Sequence, residues 1–360
     1  MAKIAIVFGT RPEIIRLSRI IPVLKKYHEV FIINTKQNFE YSLSDLFLKD
    51  FNLTTVEFEL TISKSSTEIK IKDILRESKI IFKQINPDCV LILGDTYSGL
   101  SAVSAFQLEI PVFHMEAGNR CFDIEVPEEK NRIIIDNHSK YLIPYTQGSR
   151  KNLLLEGFAD SDIFVSGNPI LEVIRYFKNE VEKSDIISSL GLDDKNYLLC
   201  TLHRAEGIDH PERLSTMLYA LDEFARSFKI STVVSTHPRL RARLRTIKDK
   251  PAHLNFIEPL SFFDFIKLEQ SAALVATDSG TVQEEACIFG IPAITLREVT
   301  ERPETVECGS NILVGYSREK ILSGLTMKLE QSKNSWIAPS EYLVEDVSQR
   351  VNNFILEKMQ

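Results

Sequence analysis

"ALVATDSGTVQEEACIFGIPAITLRE", residues 273–298, is the stretch from which the fold of the whole chain can be inferred. An apolar run at 273–279 ends in a polar Asp-Ser turn, a helix is predicted from about Val282, and a second apolar run follows at 292–298. Near-continuous apolar runs of this length indicate strands buried on both faces of a sheet, and therefore parallel strands joined by crossover helices. The stretch predicts a strand–helix–strand unit.

Similar apolar runs recur along the chain, with helical stretches between many of them. In the first half they lie at 4–9, 30–35, 89–95, 111–116, 141–146 and 163–168. In the second half they lie at 197–203, 231–237, 254–260, 273–279, 292–298 and 311–315. Six strands in each half predict an α/β fold of two Rossmann-like doubly wound domains with a cleft between them.

The domain boundary is predicted after the segment SGNPILEVI, because residues 175–195 that follow are polar and charged. This gives an N-terminal domain at 1–170 and a C-terminal domain at 171–340. Residues 341–360 have the helical spacing of apolar side chains that a packed helix shows. This helix could pack back on the first domain or pack on the second, and the sequence leaves both arrangements open.

The composition is typical of a soluble globular protein, with 44% hydrophobic and 26% charged residues in 360. The net charge of −7 argues against nucleic acid or an anionic membrane as a partner. No apolar run approaches the roughly 20 residues of a membrane span. The five cysteines are odd in number and form no CxxC, so we expect reduced thiols in a cytoplasmic protein. Cys121 alone is considered as a nucleophile.

Many predicted strands end in polar side chains, at the edge where open α/β sheets bind ligands. In VFGTRPEIIRLS (7–18), Gly9 permits a tight turn before a helix, and Arg11 would then lie beside a helix N-terminus that favours anions. There is no GxGxxG, so the dinucleotide fingerprint is absent. We expect Arg11 to contact a phosphate, with a surface ion pair as the alternative.

Carboxylates follow the next strands of the first half. Asp95 and Glu116 stand at strand ends, and Glu128 and Glu129 stand at the start of a helix. Asp95 could instead be a helix N-cap. The two helical glutamates could be dipole partners, with Glu128 also paired to Arg132. A purely structural role of this kind does not suit Glu116, because a lone carboxylate at a buried strand end needs a partner.

Histidines end two strands of the second half. His203 in CTLHRAEG and His237 in STHPRL are suited to general acid–base work near neutral pH, and a structural role is the alternative. The histidines show neither HExxH nor paired-ligand spacing, so no metal site is predicted.

The turn after the strand at 273–279 predicts an anion nest of backbone N–H groups at a helix N-terminus. It consists of Ser279, Gly280 and Thr281. Glu284 and Glu285 follow, and one of them could reach a ribose diol, unless both only complement the helix dipole. Arg302 in ERPE is expected in a loop that faces the same cleft.

Together these features predict two Rossmann-like domains, a phosphate nest in the second, and acids and histidines at the strand ends of both. They favour a nucleotide-sugar enzyme of the glycosyltransferase-B architecture over a dehydrogenase.

In order and spacing, the motifs resemble those of the non-hydrolysing UDP-N-acetylglucosamine 2-epimerase family, across about residues 4–315. The matching segments are GTRPEIIR, GDT, HMEAGNR, PEEKNR, SGNPILEVI, HRAEG, IEPLSFFDFIKL, DSGTVQEEA and TERPE. The resemblance implies inversion of C2 of a UDP-linked 2-acetamido sugar without NAD or metal, so no cofactor is expected. It implies anti elimination of UDP to a 2-acetamidoglycal and syn re-addition to the other face.

The resemblance also implies roles for single residues and a homodimer. The catalytic set is Asp95, Glu116, Glu128 and His203. The substrate-binding set is Arg11, Arg16, His237, Phe265, Ser279, Gly280, Thr281, Glu285 and Arg302. In that set Arg11 matches a phosphate contact, Glu285 the ribose-binding acid and Phe265 a uracil neighbour. Which carboxylate removes the C2 proton is not implied.

Departures from the family pattern bear on the substrate. The typical TGQHRE segment reads TKQNFEYSL at 35–43, where Asn38 and Phe39 replace His and Arg, so an allosteric UDP-sugar site is in doubt. The forms EAGNRCFD and GTRPEIIRLS resemble a branch that makes UDP-N-acetyl-L-fucosamine for capsule or O-antigen. We therefore expect UDP-2-acetamido-2,6-dideoxy-L-talose as the substrate. The alternatives are UDP-N-acetylglucosamine to UDP-N-acetylmannosamine epimerisation and, after it, a hydrolysing 2-epimerase or a glycosyltransferase.

Overall fold

A computed structural model describes residues 1–37, 48–51, 53, 55–63, 65–245, 247, 251–331 and 335–360. Asn38 and Phe39, on which the question of an allosteric site depends, lie outside these residues. The described chain divides into two compact units. The first comprises Met1–Val173 and Ser340–Gln360, and the second comprises Ile174–Pro339.

The first unit contains a six-stranded sheet in the order β3-β2-β1-β4-β5-β6, with every neighbouring pair parallel. Its strands are β1 (Lys3–Phe8), β2 (Glu29–Asn34), β3 (Phe58–Glu59), β4 (Cys89–Leu93), β5 (Val112–Met115) and β6 (Tyr141–Ile143). Apolar side chains on both faces are buried, as the near-continuous apolar runs predict.

One predicted strand of this unit is wrong and one strand was missed. Residues 163–168 form no strand, and only Ile163 makes an isolated bridge to Leu142. The run stops pairing before Gly167, which adopts a φ of 88°. The sixth strand is instead the two-residue β3, which is too short to show a periodic pattern.

Helices cover this sheet on both sides. They are α1 (Arg11–Leu17), α2 (Ile20–Leu24), α3 (Thr67–Ile85), α4 (Ser101–Phe106), α5 (Pro127–Asn137), α6 (Gln147–Leu155), α7 (Ile170–Tyr176, which crosses the boundary) and α17 (Val347–Lys358). The C-terminal helix α17 packs against α2, and its Phe354 stacks on Phe164 with ring centroids 4.8 Å apart. The backbone N–H of Ser348 donates to Glu172. Helix α17 therefore belongs to the first unit.

The second unit repeats the plan with a parallel sheet in the order β12-β11-β10-β7-β8-β9. Its strands are β7 (Tyr197–Leu202), β8 (Ser231–Thr236), β9 (Leu254–Ile257), β10 (Leu274–Thr277), β11 (Ala293–Thr295) and β12 (Asn311–Leu313). Its helices are α8 (Lys178–Glu182), α9 (Ile186–Ser189), α10 (Ala205–Ile208), α11 (Pro211–Phe228), α12 (Pro238–Leu244), α13 (Phe262–Gln270), α14 (Gly280–Phe289), α15 (Pro303–Glu307) and α16 (Arg318–Glu330).

The strand order reverses between β1 and β4 in the first sheet and between β7 and β10 in the second. Doubly wound sheets bind ligands beyond the carboxyl ends of the strands that flank such a switch point. In the first unit these ends carry Gly9 and Asp95, and in the second they carry His203 and Asp278. The fold therefore brings predicted site residues to the switch point of each unit.

Candidate active site

Glu116 directly follows β5 in a left-handed backbone conformation, with a φ of 67°. Such a conformation costs a non-glycine residue about 1 kcal/mol or more and persists only where the surroundings enforce it. Here the backbone N–H of Glu116 donates to Ile143 at 3.0 Å. The buried carboxylate accepts from Arg16 Nη1 at 3.5 Å and from Asn119 Nδ2 at 3.2 Å. The partner expected for Glu116 is therefore present, and the strained backbone fixes the direction of its side chain.

Asp95 lies at the end of the neighbouring strand β4 and is held by an arginine. Arg132 donates to Asp95 Oδ2 through Nε at 2.9 Å and through Nη2 at 2.6 Å. A Cβ atom added to Gly94 would lie 3.7 Å from Glu116 Oε2. The carboxylates of Asp95 and Glu116 thus stand at adjacent strand ends of one sheet.

The alternative role of Asp95 as a helix N-cap is wrong. Thr96 takes that place, because its side chain accepts from the backbone N–H of Ser98 at 3.2 Å and begins a short 3-10 turn. Asp95 is consequently available for its ion pair with Arg132.

Arg132 also links Asp95 to the loop that carries Cys121. Its Nη1 donates to Glu129 Oε2 at 2.6 Å, and the Glu129 carboxylate accepts the backbone N–H groups of Cys121 and Phe122 at 3.0 Å each. Glu129 lies in the first turn of α5, as predicted, but it is buried and organises this loop as well. Glu128 is half-buried in the same first helical turn. The interpretation of Cys121 as a nucleophile loses support, because burial raises the pKa of its thiol.

Glu13 ties two strand-end loops of the first unit together. Its carboxylate accepts the backbone N–H groups of Gly9 at 2.7 Å and Thr10 at 2.9 Å, and it also accepts the Thr96 hydroxyl. Burial raises the pKa of Glu13 to about 7, even though these three donors act in the opposite direction. Arg11, the first residue of α1, is half-buried beside this loop.

A second polar network, which the sequence analysis missed, adjoins Asp95 and Glu116 along the chain. His114 Nδ1 contacts Asp136 Oδ1 at 2.7 Å, and His114 Nε2 contacts the Gly94 carbonyl at 2.9 Å. Both ring nitrogens of His114 therefore face acceptor atoms. Arg120 Nη2 donates to Asp136 Oδ2 at 2.7 Å. Burial alone would raise the pKa of Asp136, but His114 and Arg120 outweigh it and hold the pKa below its usual value.

In the second unit, His203 and Asp278 form a pair at the ends of β7 and β10. His203 Nδ1 lies 2.8 Å from Asp278 Oδ1, and Asp278 Oδ2 accepts the backbone N–H groups of His203 and Arg204 at 2.8 Å each. Burial alone would raise the pKa of Asp278, but the His203 ring and these N–H groups keep it below its usual value. An imidazole oriented through Nδ1 presents Nε2 for proton transfer.

The predicted nest directly follows Asp278. Helix α14 begins at Gly280, two residues before the predicted start, with Ser279 as its N-cap and Thr281 half-buried in its first turn. A Cβ atom added to Gly280 would lie 2.7 Å from Glu301 Oε1 and 3.6 Å from Arg302 Cζ. A side chain at position 280 would therefore displace the carboxylate of Glu301 or the start of α14.

Arginines surround the nest, each bound to a carboxylate. Arg302 Nε pairs with Glu284, and both side chains are buried. Glu301 accepts from Arg204 Nη2 at 3.2 Å and from Arg297 Nη1 at 2.9 Å. Sequence reasoning missed Glu301, although it lies within the quoted segment TERPE.

The remaining predicted residues are also in the second unit. Glu285 is buried on α14, and Phe265 is half-buried on α13, which packs against α14. His237 is exposed and caps α12 by accepting from the backbone N–H of Arg239 at 3.2 Å, and its ring centroid lies 5.8 Å from that of His203. In the part of the chain that the structure describes, no group of three His, Cys, Asp or Glu residues could hold a metal ion.

The sequence model of the UDP-N-acetylglucosamine 2-epimerase family matches residues 24–356. The chain belongs to this family. A UDP-N-acetylglucosamine 2-epimerase of Methanocaldococcus jannaschii is 40% identical over 349 residues, which cover 94% of each chain. A UDP-2,3-diacetamido-2,3-dideoxy-D-glucuronate 2-epimerase of Pseudomonas aeruginosa is 33% identical over 333 residues, which cover 91% of this chain and 92% of the other.

Solved structures of the family have the same fold. The M. jannaschii UDP-GlcNAc 2-epimerase in complex with UDP-GlcNAc and UDP matches with a TM-score of 0.92 and 37% identity, covering 99% of each chain. The predicted α/β fold of glycosyltransferase-B type is confirmed by the two parallel six-stranded sheets with flanking helices. The activity is that of a UDP-sugar 2-epimerase, which is an isomerase.

Two further properties concern the whole described chain. No helix among the described residues is both long and apolar enough to cross a membrane. All five cysteines are free thiols, with Cys287 and Cys308 in contact at an Sγ–Sγ distance of 3.7 Å.

Proposed function

We propose that the chain inverts C2 of a UDP-linked 2-acetamido sugar by eliminating UDP to a 2-acetamidoglycal and adding it back. The observation that carries this proposal is the pair of adjacent strand-end carboxylates, Asp95 and Glu116, of which Glu116 is aimed by a left-handed backbone. A proton must leave C2 and return on the opposite face of the ring, so acid–base groups at fixed positions are required. Glu128 is the third carboxylate that we place in this set.

We assign the UDP group to the second unit. When the C1–O bond breaks, its electrons remain on the diphosphate, so N–H groups and cations must stabilise the growing charge. The N-terminus of α14 supplies backbone N–H groups at Ser279, Gly280 and Thr281, and Arg302 lies against Gly280. Arg11 and Arg16 of the first unit are proposed as further contacts of the substrate.

His203 is proposed as an acid–base group of this reaction, oriented by Asp278 at 2.8 Å. His237 and Phe265 are proposed as contacts of the UDP group, and Glu285 as the acceptor of its ribose hydroxyls. A hydrolysing 2-epimerase or a glycosyltransferase would use the same nest. The first would add water in place of UDP to C1 and release the free sugar, and the second would leave the C2–H bond intact.

The substrate that we propose is UDP-2-acetamido-2,6-dideoxy-L-talose, converted to UDP-N-acetyl-L-fucosamine for a surface polysaccharide. Its support is the resemblance of EAGNRCFD and GTRPEIIRLS to that branch. The second candidate, UDP-N-acetylglucosamine, is supported equally, because the 40% identical relative bears that activity in its name.

A direct comparison of the two sugars tests the proposal. Each UDP-sugar is incubated with the enzyme, and the products are followed by proton NMR at C1 and C2. A C2 epimer from either sugar supports the reaction, and the sugar with the larger kcat/KM is the substrate. Free sugar accumulating with UDP in place of an epimer would contradict the proposed reaction.

We propose a cytoplasmic homodimer. The five free thiols suit a reducing compartment. In the first unit, a cavity of about 390 Å³ is lined by Leu75, Tyr97 and the exposed apolar side chain of Ile134. A second copy would cover this apolar surface. Sedimentation velocity of the wild type and of Ile134→Glu checks this, since a wild-type monomer would refute the dimer.

A further inference from the structure

Two carboxyl groups meet in the interior of the second unit. Glu269 lies in α13 and Glu285 lies in α14, two helices that pack against each other, and the two carboxyl groups interact. Glu269 is 0% exposed and Glu285 is 3% exposed. The sequence gives no sign of this contact, because Glu269 appears in FIKLEQS as an ordinary polar residue of an amphipathic helix.

No donor from the described residues reaches Glu269. Both carboxyl oxygens are buried, and no N–H or O–H group of the described chain bonds to them. The hydroxyl of Tyr197 on β7, a titratable group that also interacts electrostatically with Glu269, donates instead to the Leu268 carbonyl. A buried carboxylate without donors is costly, and two facing carboxylates cannot both ionise.

The pair therefore holds a proton. With Glu269 as a neutral carboxylic acid, its O–H group donates to Glu285, and both groups are satisfied. Burial and the neighbouring Glu285 carboxylate raise the pKa of Glu269 well above its usual value, in agreement with this geometry. The adjacent Glu284 has a different partner, since it pairs with Arg302.

We propose that Glu269 is a positioning residue, which donates a hydrogen bond to Glu285 and so orients that carboxylate to accept the hydroxyls of a ribose diol. The inference rests on the proposed binding of UDP in the second unit. It adds a residue that recognises the nucleoside indirectly and does not itself touch the substrate.

The proposal has a defined pH dependence. Because burial and the neighbouring Glu285 carboxylate raise the pKa of Glu269, the pair holds its proton to a higher pH than an ordinary carboxyl group does and loses it as pH rises further. Two carboxylates would then repel each other, and Glu285 would turn away from the ribose. The preference for a ribose over a 2′-deoxyribose should therefore decline toward alkaline pH.

Calorimetric titration with UDP and with 2′-deoxy-UDP, from neutral to alkaline pH, measures that preference. In Glu269→Gln the amide still donates, so we expect the preference to persist and to lose its decline at alkaline pH. In Glu269→Leu the donor is gone, and we expect the preference to fall about tenfold at neutral pH. Glu307→Gln, an exposed glutamate in the same unit, is the matched control and should behave as the wild type.

Infrared spectroscopy supplies a readout that is independent of binding. The difference spectrum between the wild type and Glu269→Gln should show the carbonyl band of one protonated, buried carboxyl group, whereas the contribution of Glu13, whose pKa is about 7, cancels. Thermal melting establishes that each variant is folded.

Two results would overturn the inference. The first is a folded Glu269→Leu protein with an unchanged preference and an unchanged pH profile. The second is a Glu269→Gln protein that loses the preference as fully as Glu269→Leu does. Failure of the proposed function would give a different result. If the wild type does not distinguish UDP from 2′-deoxy-UDP, the proposed contact between Glu285 and the ribose is itself contradicted. A wild type that distinguishes them but yields no C2 epimer would leave the role of Glu269 intact.

Discussion

The two units surround their functional carboxylates differently. In the first, Glu116 contacts Arg16 and Asp95 contacts Arg132, so each carboxylate has a cation beside it. In the second, Glu285 faces Glu269, for which we propose the neutral carboxylic acid form. This difference fits two different roles. The carboxylates paired with cations lie where we propose that protons are moved. The carboxylate supported by a neutral donor lies where we propose that hydroxyl groups are bound.

The largest effect is expected for Glu116→Gln. The amide keeps the shape of the side chain but cannot accept a proton, so kcat should fall about 10³-fold while the Kd for UDP changes less than about twofold. Initial rates and calorimetric titration measure both quantities. Glu125→Gln, an exposed acid of the same stretch, is the control. A wild-type rate in the Glu116 variant would remove this residue from the mechanism.

The buried network behind these carboxylates should contribute mainly to stability. Asp136→Asn leaves His114 and Arg120 without their anion, and we expect the free energy of unfolding to fall by about 3 kcal/mol. Urea unfolding measures this change. Because the pKa of Asp136 is depressed, its contribution should be present at neutral pH and be lost as pH falls through that depressed value.

The control for Asp136→Asn is Asp162→Asn, which breaks an exposed pair with Lys140 in the same unit. An exposed pair contributes less than about 1 kcal/mol. Equal losses of unfolding free energy in the two variants would show that the buried network stabilises the fold no more than an exposed ion pair does.

Asp278→Asn should lower kcat about a hundredfold, because the amide no longer fixes the orientation and tautomer of His203. The pH profile of kcat measures the change. Asp222→Asn removes another His–Asp pair of the same unit, with His253 at 3.2 Å on the surface, and should leave kcat unchanged. If both variants lose activity equally, the pairing with Asp278 is not what supports His203.

Gly280→Ala is expected to have the smallest effect. The added methyl group would lie 2.7 Å from Glu301 Oε1, so either the Glu301 side chain or the start of α14 must shift, and UDP binding should weaken about tenfold, or about 1.4 kcal/mol. Calorimetric titration with UDP measures the loss, and the melting temperature reports the integrity of the fold. Unchanged affinity would argue against UDP binding at this helix N-terminus.

The sequence was sufficient for the features that follow from local pattern. The apolar runs predict all strands except β3, and the Ser-Gly-Thr turn predicts the start of α14 to within two residues. The run at 163–168 was misleading, because strand pairing depends on a neighbour that the run itself does not specify. Side-chain partners that are distant in sequence were also inaccessible, such as Arg132 for Asp95 and Glu285 for Glu269.

The contacts of His114 could not be predicted from the sequence either. In PVFHME it is a single polar residue in an apolar run, and only the tertiary structure brings Asp136 and the Gly94 carbonyl to its two nitrogens. The left-handed conformation of Glu116 is likewise a property of the folded loop. Sequence therefore singled out candidate carboxylates, and their role in the reaction stays a prediction, whereas the structure supplied their partners.

The most direct test of these two roles, proton transfer in the first unit and UDP binding in the second, is exchange of the C2 proton in D2O. The exchange is followed by proton NMR for the wild type, Glu116→Gln and Gly280→Ala. We predict that the wild type incorporates deuterium at C2 of the epimeric product. We predict that Glu116→Gln shows almost none even at saturating UDP-sugar, and that Gly280→Ala recovers the wild-type rate at saturation. Full exchange in Glu116→Gln, or an epimer formed without deuterium at C2, would contradict the account.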